Sequence, residues 1–331
     1  MNFSVYVLGR DVAVLEQTAD LHSVLTYHAG TASGDFVSLG LPVRTEPYRW
    51  DGLTLAGAGA MGRLQLAAPG AALMAADQAT ALVQPPTPQQ PFAALNEHLC
   101  LQVARRVMLT AHTDLSGDGQ TLTVQRFDLD AQGQRHWGVE DFGALLSLSP
   151  SGGDDISWEQ IAQAVRDQVP GSRRGEAFRH LASRLLLSYA LRDAGCTART
   201  LALRYTSRAD VQAAPAHGLL TTGVYAGLEG HLPAMAFMNK KIWTPGRNLQ
   251  KFIATAFGIA PKEQALMAEA VCDAVADVAP RVAEAINRHP AFSDIGWGML
   301  AAWTEGVQGL RDKHVYALGA WEAGAALTGS A

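Results

Sequence analysis

Apolar and polar positions alternate in short bursts through the first 66 residues: Phe3–Leu8, Val12–Leu15, Leu25–Tyr27 and Phe36–Leu39, with Gly9, Arg10 and Asp11 reading as a turn. Alternation with β-branched residues predicts a small, mostly antiparallel sheet. Ala67–Gln90 is rich in Ala, Pro and Gln and reads as a short helix followed by a connector, because Pro85, Pro86, Pro88 and Pro91 forbid a long element. Asn96–Met108 is patterned as an amphipathic helix, and Gln120–Asp128 as a strand ending in Arg126, Phe127 and Asp128. From Ser157 the period changes to that of helices. Ser157 and Gln160 form a capping box, Phe178–Asp193 is apolar at helical spacing, and Glu263–Asn287 is a long Ala-rich helix that Pro280 is expected to kink or split. Strand-like patches interrupt this at Thr200–Tyr205 and near Met235. The expected fold class is α+β in a two-lobed arrangement. Residues 1–148 would be sheet-rich, with a small sheet at 1–66, a connector at 67–94 and a helix with strands at 95–148; residues 149–331 would be mainly helical.

Composition narrows the function classes. The 331 residues are 48% hydrophobic, enough for a sizeable core, and 17% charged with a net charge of -5. Without a Lys/Arg run, direct nucleic-acid binding is not expected, and recognition of DNA would need a partner. No cationic leader with an apolar stretch and no membrane-length apolar run is visible, so the expected location is the cytoplasm. Cys100, Cys196 and Cys272 are odd in number, far apart and without Cys-x-x-Cys spacing, which predicts buried reduced thiols.

Three motifs invite stronger readings. Gly57, Gly59 and Gly62 match the dinucleotide-binding glycine spacing, but the prolines that follow leave no strand, helix and acid in order, so a Gly-rich turn is expected. Asp114–Gly119 resembles a calcium loop without its terminal Glu and reads as a hairpin turn. Trp297, Trp303 and Phe292 would line one side of the helical part, as core rather than as partner anchors.

Several segments, in order, carry a family pattern. Val5–Leu15 with Ser38–Arg44, Pro47 and Tyr48 would be an opening sheet, which Gly59–Leu66 closes. Leu95, Asn96 and Glu97, then Val124–Asp128, Arg135, His136 and Glu140–Phe142 form the most specific run, and Ala214–Leu220 with Tyr225 completes it. Together they resemble the HipA family of bacterial serine/threonine kinase toxins. The resemblance implies a kinase-like fold with a composite amino-terminal lobe. It also implies phosphorylation of protein targets such as an aminoacyl-tRNA synthetase, and restraint by a small DNA-binding antitoxin.

Phosphoryl transfer needs a phosphate cradle, a cation on the phosphates, a carboxylate at the acceptor hydroxyl and oxygens for Mg²⁺. By the resemblance, the family's Ile-Lys-Pro falls on Val83, Gln84 and Pro85, so Gln84 stands for the nucleotide lysine. The loop Asp-x-His-x-Lys-Asn falls on 195–200, with Gly195 for the catalytic Asp and Thr200 for the metal-binding Asn. The second metal-binding Asp falls on Gly218, and no phosphate-loop pattern lies between Gly62 and Pro85. Asn96, Glu97, Arg126, Phe127 and Asp128 keep the family pattern. Arg126 and Asp128 are expected to brace the junction between lobes, and Glu97 would have Gln84 where an active kinase has its lysine.

The resemblance with these losses implies a pseudokinase: a binding or regulatory protein in a toxin–antitoxin setting, without ordinary phosphoryl transfer, metal site or cofactor. Its partner would be a small DNA-binding antitoxin or a related HipA-like kinase, with no membrane involved. The alternative is a weak or atypical ATP- and Mg-dependent kinase toxin in which Asp193, two residues before Gly195, becomes the catalytic carboxylate with Arg199 supplying positive charge. The plainer reading of Asp193 is a solvent-facing carboxylate at a helix end. A sensor that binds a nucleotide or metabolite without turnover is a third reading.

Overall fold

A computed structural model describes residues 2–17, 22–51, 64–67, 81–84, 87–134, 136–147 and 156–318. The amino-terminal alternation folds as expected into β1 (Asn2–Val7), β2 (Arg10–Gln17) and β3 (His22–Tyr27). With β4 (Tyr48–Asp51) and β5 (Leu64–Ala67) they make an antiparallel sheet in the order β4-β3-β2-β1-β5. Leu8 and Gly9, with φ of 50° and 78°, join β1 to β2. Positive φ at both positions matches the right-handed twist of a hairpin. Phe36–Leu39 is not a strand: it is a buried loop with Phe36, Val37 and Leu39 in the core and one bridge, Ser38 to Leu41. An apolar run can be buried as a loop when its backbone finds other partners.

The expected short helix in Ala67–Gln90 lies mostly outside the described residues, as does the glycine motif at 57–62; what is described is a strand, β6 (Ala81–Gln84). Helix α1 (Ala93–Ala104) starts and stops a few residues before its expected range. Strand β7 (Thr113–Leu115) and the shortened β8 (Leu122–Gln125) join β6 in a sheet of order β6-β8-β7. Of the Asp114–Gly119 motif, Asp114 and Leu115 end β7 and the rest forms the hairpin turn, in which Asp118 Oδ1 accepts from Ser116 Oγ and the Gln120 N–H. Strand β9 (Gly138–Asp141) leads into α2 (Phe142–Ser147).

The carboxy-terminal part contains α3 (Trp158–Gln168), α4 (Gly171–Leu191), β10 (Ala202–Ser207), β11 (Asp210–Ala213), α5 (Arg247–Phe257), α6 (Pro261–Arg288) and α7 (Ser293–Arg311). The capping box forms: Ser157 Oγ accepts from the Gln160 N–H while Gln160 Oε1 accepts from the Ser157 N–H at 2.8 Å. Helix α6 runs unsplit through Pro280, although that ring removes the donor for the Ala276 carbonyl. No strand forms at Met235, which is buried in an irregular segment.

β9 and β10 pair antiparallel across the expected division at 148/149, and α1 packs against α6. One core runs from Phe36 through α1, α3 and α4 to Tyr316. Helix α4 is its axis, and α7 approaches so closely that a β-carbon on Gly306 would overlap the Ala190 carbonyl. Trp303 and Phe292 are fully buried here, whereas Trp297 is 47% exposed and lies outside the core. All three cysteines are buried and free. Among the described residues no helix is long and apolar enough to cross a membrane. The fold is α+β.

Candidate active-site region and family

Helix α4 delivers the chain to residues 195–200, which the resemblance sets against the family's catalytic loop. It ends at Arg192 in the left-handed conformation, φ 54°, which turns Asp193 back under the helix. Asp193 does not face solvent. Its carboxylate is 1% exposed and its Oδ2 lies 2.6 Å from Nη2 of Arg184, itself 1% exposed and two turns back on α4. Asp193 Oδ1 accepts from the Gly195 N–H at 2.9 Å, and Arg184 Nη1 donates to Ser188 Oγ. Burial pushes the Asp193 carboxyl upward while the Arg184 guanidinium pulls it back. Two buried charges of this kind hold only as a pair.

Gly195 itself is exposed, and a β-carbon built on it would lie 3.2 Å from Asp193 Oδ1. Cys196 and Ala198 are buried, and burial raises the Cys196 thiol, so it is an inert core thiol. Thr200 turns inward on its own loop: its hydroxyl donates to the Thr197 carbonyl and accepts from the Thr197 N–H at 3.1 Å. Arg199 is exposed and stands beside Asp141 and Gly143, away from Asp193.

Asn96 and Glu97 reach the loop that carries Gly218. Glu97 Oε1 on α1 accepts from the Gly218 N–H at 2.8 Å, so the Glu97 side chain holds a backbone amide. Asn96 Oδ1 accepts from the Thr221 N–H, and Asn96 Nδ2 donates to the Thr221 carbonyl and the Tyr225 hydroxyl, each at 3.0 Å. Trp303 Nε1 donates to Thr221 Oγ1 at 2.8 Å, tying α7 to the same knot. Gly218 has φ 63°, and its nearest neighbours are carbons of Thr200, 3.6 Å from where a β-carbon would stand. Glu97 and Thr200 thus both adjoin Gly218, whereas the expected neighbour of Glu97 was Gln84.

Arg126 and Asp128 pair with each other, at 3.0 Å for Nε–Oδ1 and 2.6 Å for Nη2–Oδ2, nearly out of solvent. The Asp128 carbonyl accepts from the N–H groups of His136 and Trp137, so the pair braces the chain entering β9. Phe127 packs on His217, ring centroids 5.5 Å apart, next to Gly218. Gln84 ends β6, opposite Leu122, on the outer strand of its sheet.

Behind the loop lies a hollow of about 10 Å³ lined by His180, Arg184, Thr200 and Pro215 among others. That volume holds at most one water. Among the described residues no three His, Cys, Asp or Glu side chains gather where they could hold a metal ion. The chain positions matched to the family's metal ligands do not fit Mg²⁺: Gly218 has no side chain, and the Thr200 hydroxyl is engaged by Thr197.

Two features had no counterpart in the sequence reading. One is the Arg184–Asp193 pair, whose visible signal is an arginine amid the apolar run Leu181–Leu191. The other is Glu140, fully buried on β9, whose carboxylate accepts from Ser38 Oγ (2.8 Å), the Leu39 N–H (2.8 Å) and the Tyr205 hydroxyl (2.5 Å). It fixes the Phe36–Leu39 loop, and through it the five-stranded sheet, to β9 and β10.

A chain of the Shewanella oneidensis MR-1 toxin–antitoxin complex of HipA, HipB and operator DNA is similar with a TM-score of 0.66 at 12% identity, covering 96% of this chain and 100% of that one. The Helicobacter pylori proinflammatory kinase CtkA is similar at a TM-score of 0.34 and 12% identity over 41% of this chain and 49% of its own. Comparison with curated protein sequences gives no significant match. The model of the HipA-like C-terminal domain matches residues 55–282, more than half of the sequence, and the chain belongs to that family.

Proposed function

We propose that this protein is a silent member of its family, one that acts by binding a protein partner in a toxin–antitoxin setting and does not transfer phosphate. The observation that carries this reading is the state of Asp193. It is the carboxylate nearest in sequence to the loop matched to the family's catalytic segment, and its oxygens are taken by Arg184 Nη2 and the Gly195 N–H. To reach a substrate it would have to leave Arg184 unpaired in the core, a cost of about 3–5 kcal/mol for breaking such a pair. Gly195, Thr200 and Gly218 supply no carboxylate in its place. Loss of the base and metal oxygens together removes the positioning and charge neutralisation on which phosphoryl transfer depends. The alternative with Asp193 as catalytic carboxylate has no support in this geometry.

What remains of the family's site is its framework. Asn96, Glu97 and the Arg126–Asp128 pair all hold backbone or one another, so they preserve a surface rather than a reaction. The Shewanella oneidensis HipA stands in a complex with HipB and operator DNA, which supports a small DNA-binding protein as the class of partner, with DNA reached through it. The net charge of -5 agrees with an indirect contact.

The test is calorimetric titration of the purified protein with ATP, with and without Mg²⁺, up to millimolar nucleotide. No saturable, Mg²⁺-dependent binding is expected. Tight Mg²⁺-dependent binding, lost on Asp193→Asn, would overturn the proposal.

A further inference from the structure

The same turn that buries Asp193 exposes its neighbour to a different surface. Arg192 caps α4 with φ 54°, a conformation that glycine adopts freely and side chains rarely do. Packing alone gives no reason for an arginine there. Its guanidinium carbon lies 5.1 Å from the centroid of the Trp243 ring, and the indole is fixed by its N–H donating to the His231 carbonyl at 2.8 Å. Its Nε is buried without a hydrogen-bond partner. Its ion-pair partner among the described residues, Glu305 on α7, stands 3.6 Å away and 71% exposed, beyond hydrogen-bond length. The guanidinium is thus held over Trp243 with only a long ion pair to Glu305 and a buried Nε that has no hydrogen-bond partner.

Two hollows flank this arginine. One, of about 300 Å³, is bounded by Arg192, Trp243, Glu229 and Glu305 over a floor of Val224, Ala301 and Ala302. The other, of about 580 Å³, continues past the Arg192–Glu305 pair towards Asp312 and Val315. Both volumes fall in the range of small-molecule sites, about 300–1,000 Å³. Glu229 is held in place by accepting from the Gly227 N–H at 2.7 Å. The smaller hollow therefore presents one fixed cation and two carboxylates around a small apolar floor. A plain anion would meet a net negative lining, and a plain cation would meet Arg192. A zwitterion satisfies both.

We propose that this hollow binds a free α-amino acid, with its carboxylate on the Arg192 guanidinium, its ammonium on Glu229 and Glu305, and its side chain over Ala301 and Ala302. A guanidinium takes a carboxylate in a two-point contact, which suits the planar group stacked on Trp243. The site adjoins the turn at Asp193 through Thr222, which lines the hollow and accepts from the Ala194 N–H at 2.9 Å.

The experiment is calorimetric titration of the full chain with each of the twenty free amino acids, then with the N-acetyl and α-amide forms of any that binds. At least one amino acid should bind with a Kd tighter than about 1 mM, and each blocked form should bind at least tenfold more weakly. Arg192→Gly, which relaxes the backbone, and Glu229→Gln, on the surface, should each lower affinity at least tenfold while keeping the wild-type circular dichroism. The proposal fails if no amino acid reaches that affinity, if the blocked forms lose less than tenfold, or if either folded variant does.

Discussion

Glu140 and Asp193 are both fully buried carboxylates, and the fold accommodates them differently. Asp193 meets a full positive charge nine residues away in sequence, Arg184. Glu140 meets no cation among its hydrogen-bond partners, only two hydroxyls and a backbone amide, and those lie 65 to 102 residues away. Burial accordingly raises the Glu140 carboxyl above its ordinary range, while the hydrogen bonds from Tyr205, Leu39 and Ser38 pull it back. The Asp193 pair is internal to one helix and its turn, where it closes the segment that would otherwise offer a base. Glu140 joins two parts of the chain, as a socket for the loop behind the amino-terminal sheet. A charge pair thus rigidifies locally, and a neutral socket makes a removable joint.

The largest effect should come from breaking the pair. Arg184→Met leaves a buried carboxylate without its cation and should cost about 3–5 kcal/mol in urea denaturation. Adding Asp193→Leu should recover most of that loss, because two apolar groups of similar volume avoid both desolvation penalties. If the double variant is no more stable than Arg184→Met alone, the pair is not the unit of stability described here.

Next in size is the socket. Glu140→Ala removes the acceptor of the Leu39 N–H and of the Ser38 and Tyr205 hydroxyls, at about 2–3 kcal/mol. The comparison predicts where that loss is felt. Hydrogen exchange should rise in β1–β4 and in the Phe36–Leu39 loop while α4, α6 and α7 keep their protection, whereas Arg184→Met should raise exchange in α4 itself. Uniform loss of protection in the Glu140 variant would contradict a removable joint.

These contrasts also mark what was legible beforehand. β1, β2 and β3 were readable because a half-buried strand writes its two-residue period into the sequence. Phe36–Leu39 carries the same apolar pattern but is a buried loop, since its Val37 N–H, Leu39 N–H and Leu39 carbonyl are satisfied by the side chains of Tyr27, Glu140 and Arg208, the last two more than 100 residues away, which no local window contains. β4, Tyr48–Asp51, is too short and too charged to announce itself. At Pro280 the local rule said break, yet α6 continues, with Ala276, Val278, Ala279 and Val282 buried around the proline holding the helix in register. In the candidate site, the resemblance set Glu97 opposite Gln84, whereas its carboxylate accepts from the Gly218 N–H, 121 residues away, and the partners of Asn96, 125 residues distant, likewise came only with the fold. Asp193 was misread as solvent-facing, although Arg184 in an apolar run was the sign of a buried counter-charge.

The smallest effect is also the one that separates the two carboxylates by chemistry alone. Glu140→Gln keeps the shape, and its amide can accept from Leu39 and Tyr205 while donating to Ser38 Oγ, so the change should cost about 1 kcal/mol or less. The informative quantity is its pH dependence. Because Glu140 is raised in the folded state, folding binds its proton more tightly than the unfolded chain does. Its contribution to stability is therefore present at low pH and is lost as pH rises through the raised folded value. Wild type should lose stability relative to Glu140→Gln in urea melts as pH rises above the ordinary carboxylate range towards the raised folded value. A wild type that instead gains on the variant over that range would mean that the carboxylate, not its protonated form, is what the socket was built to hold.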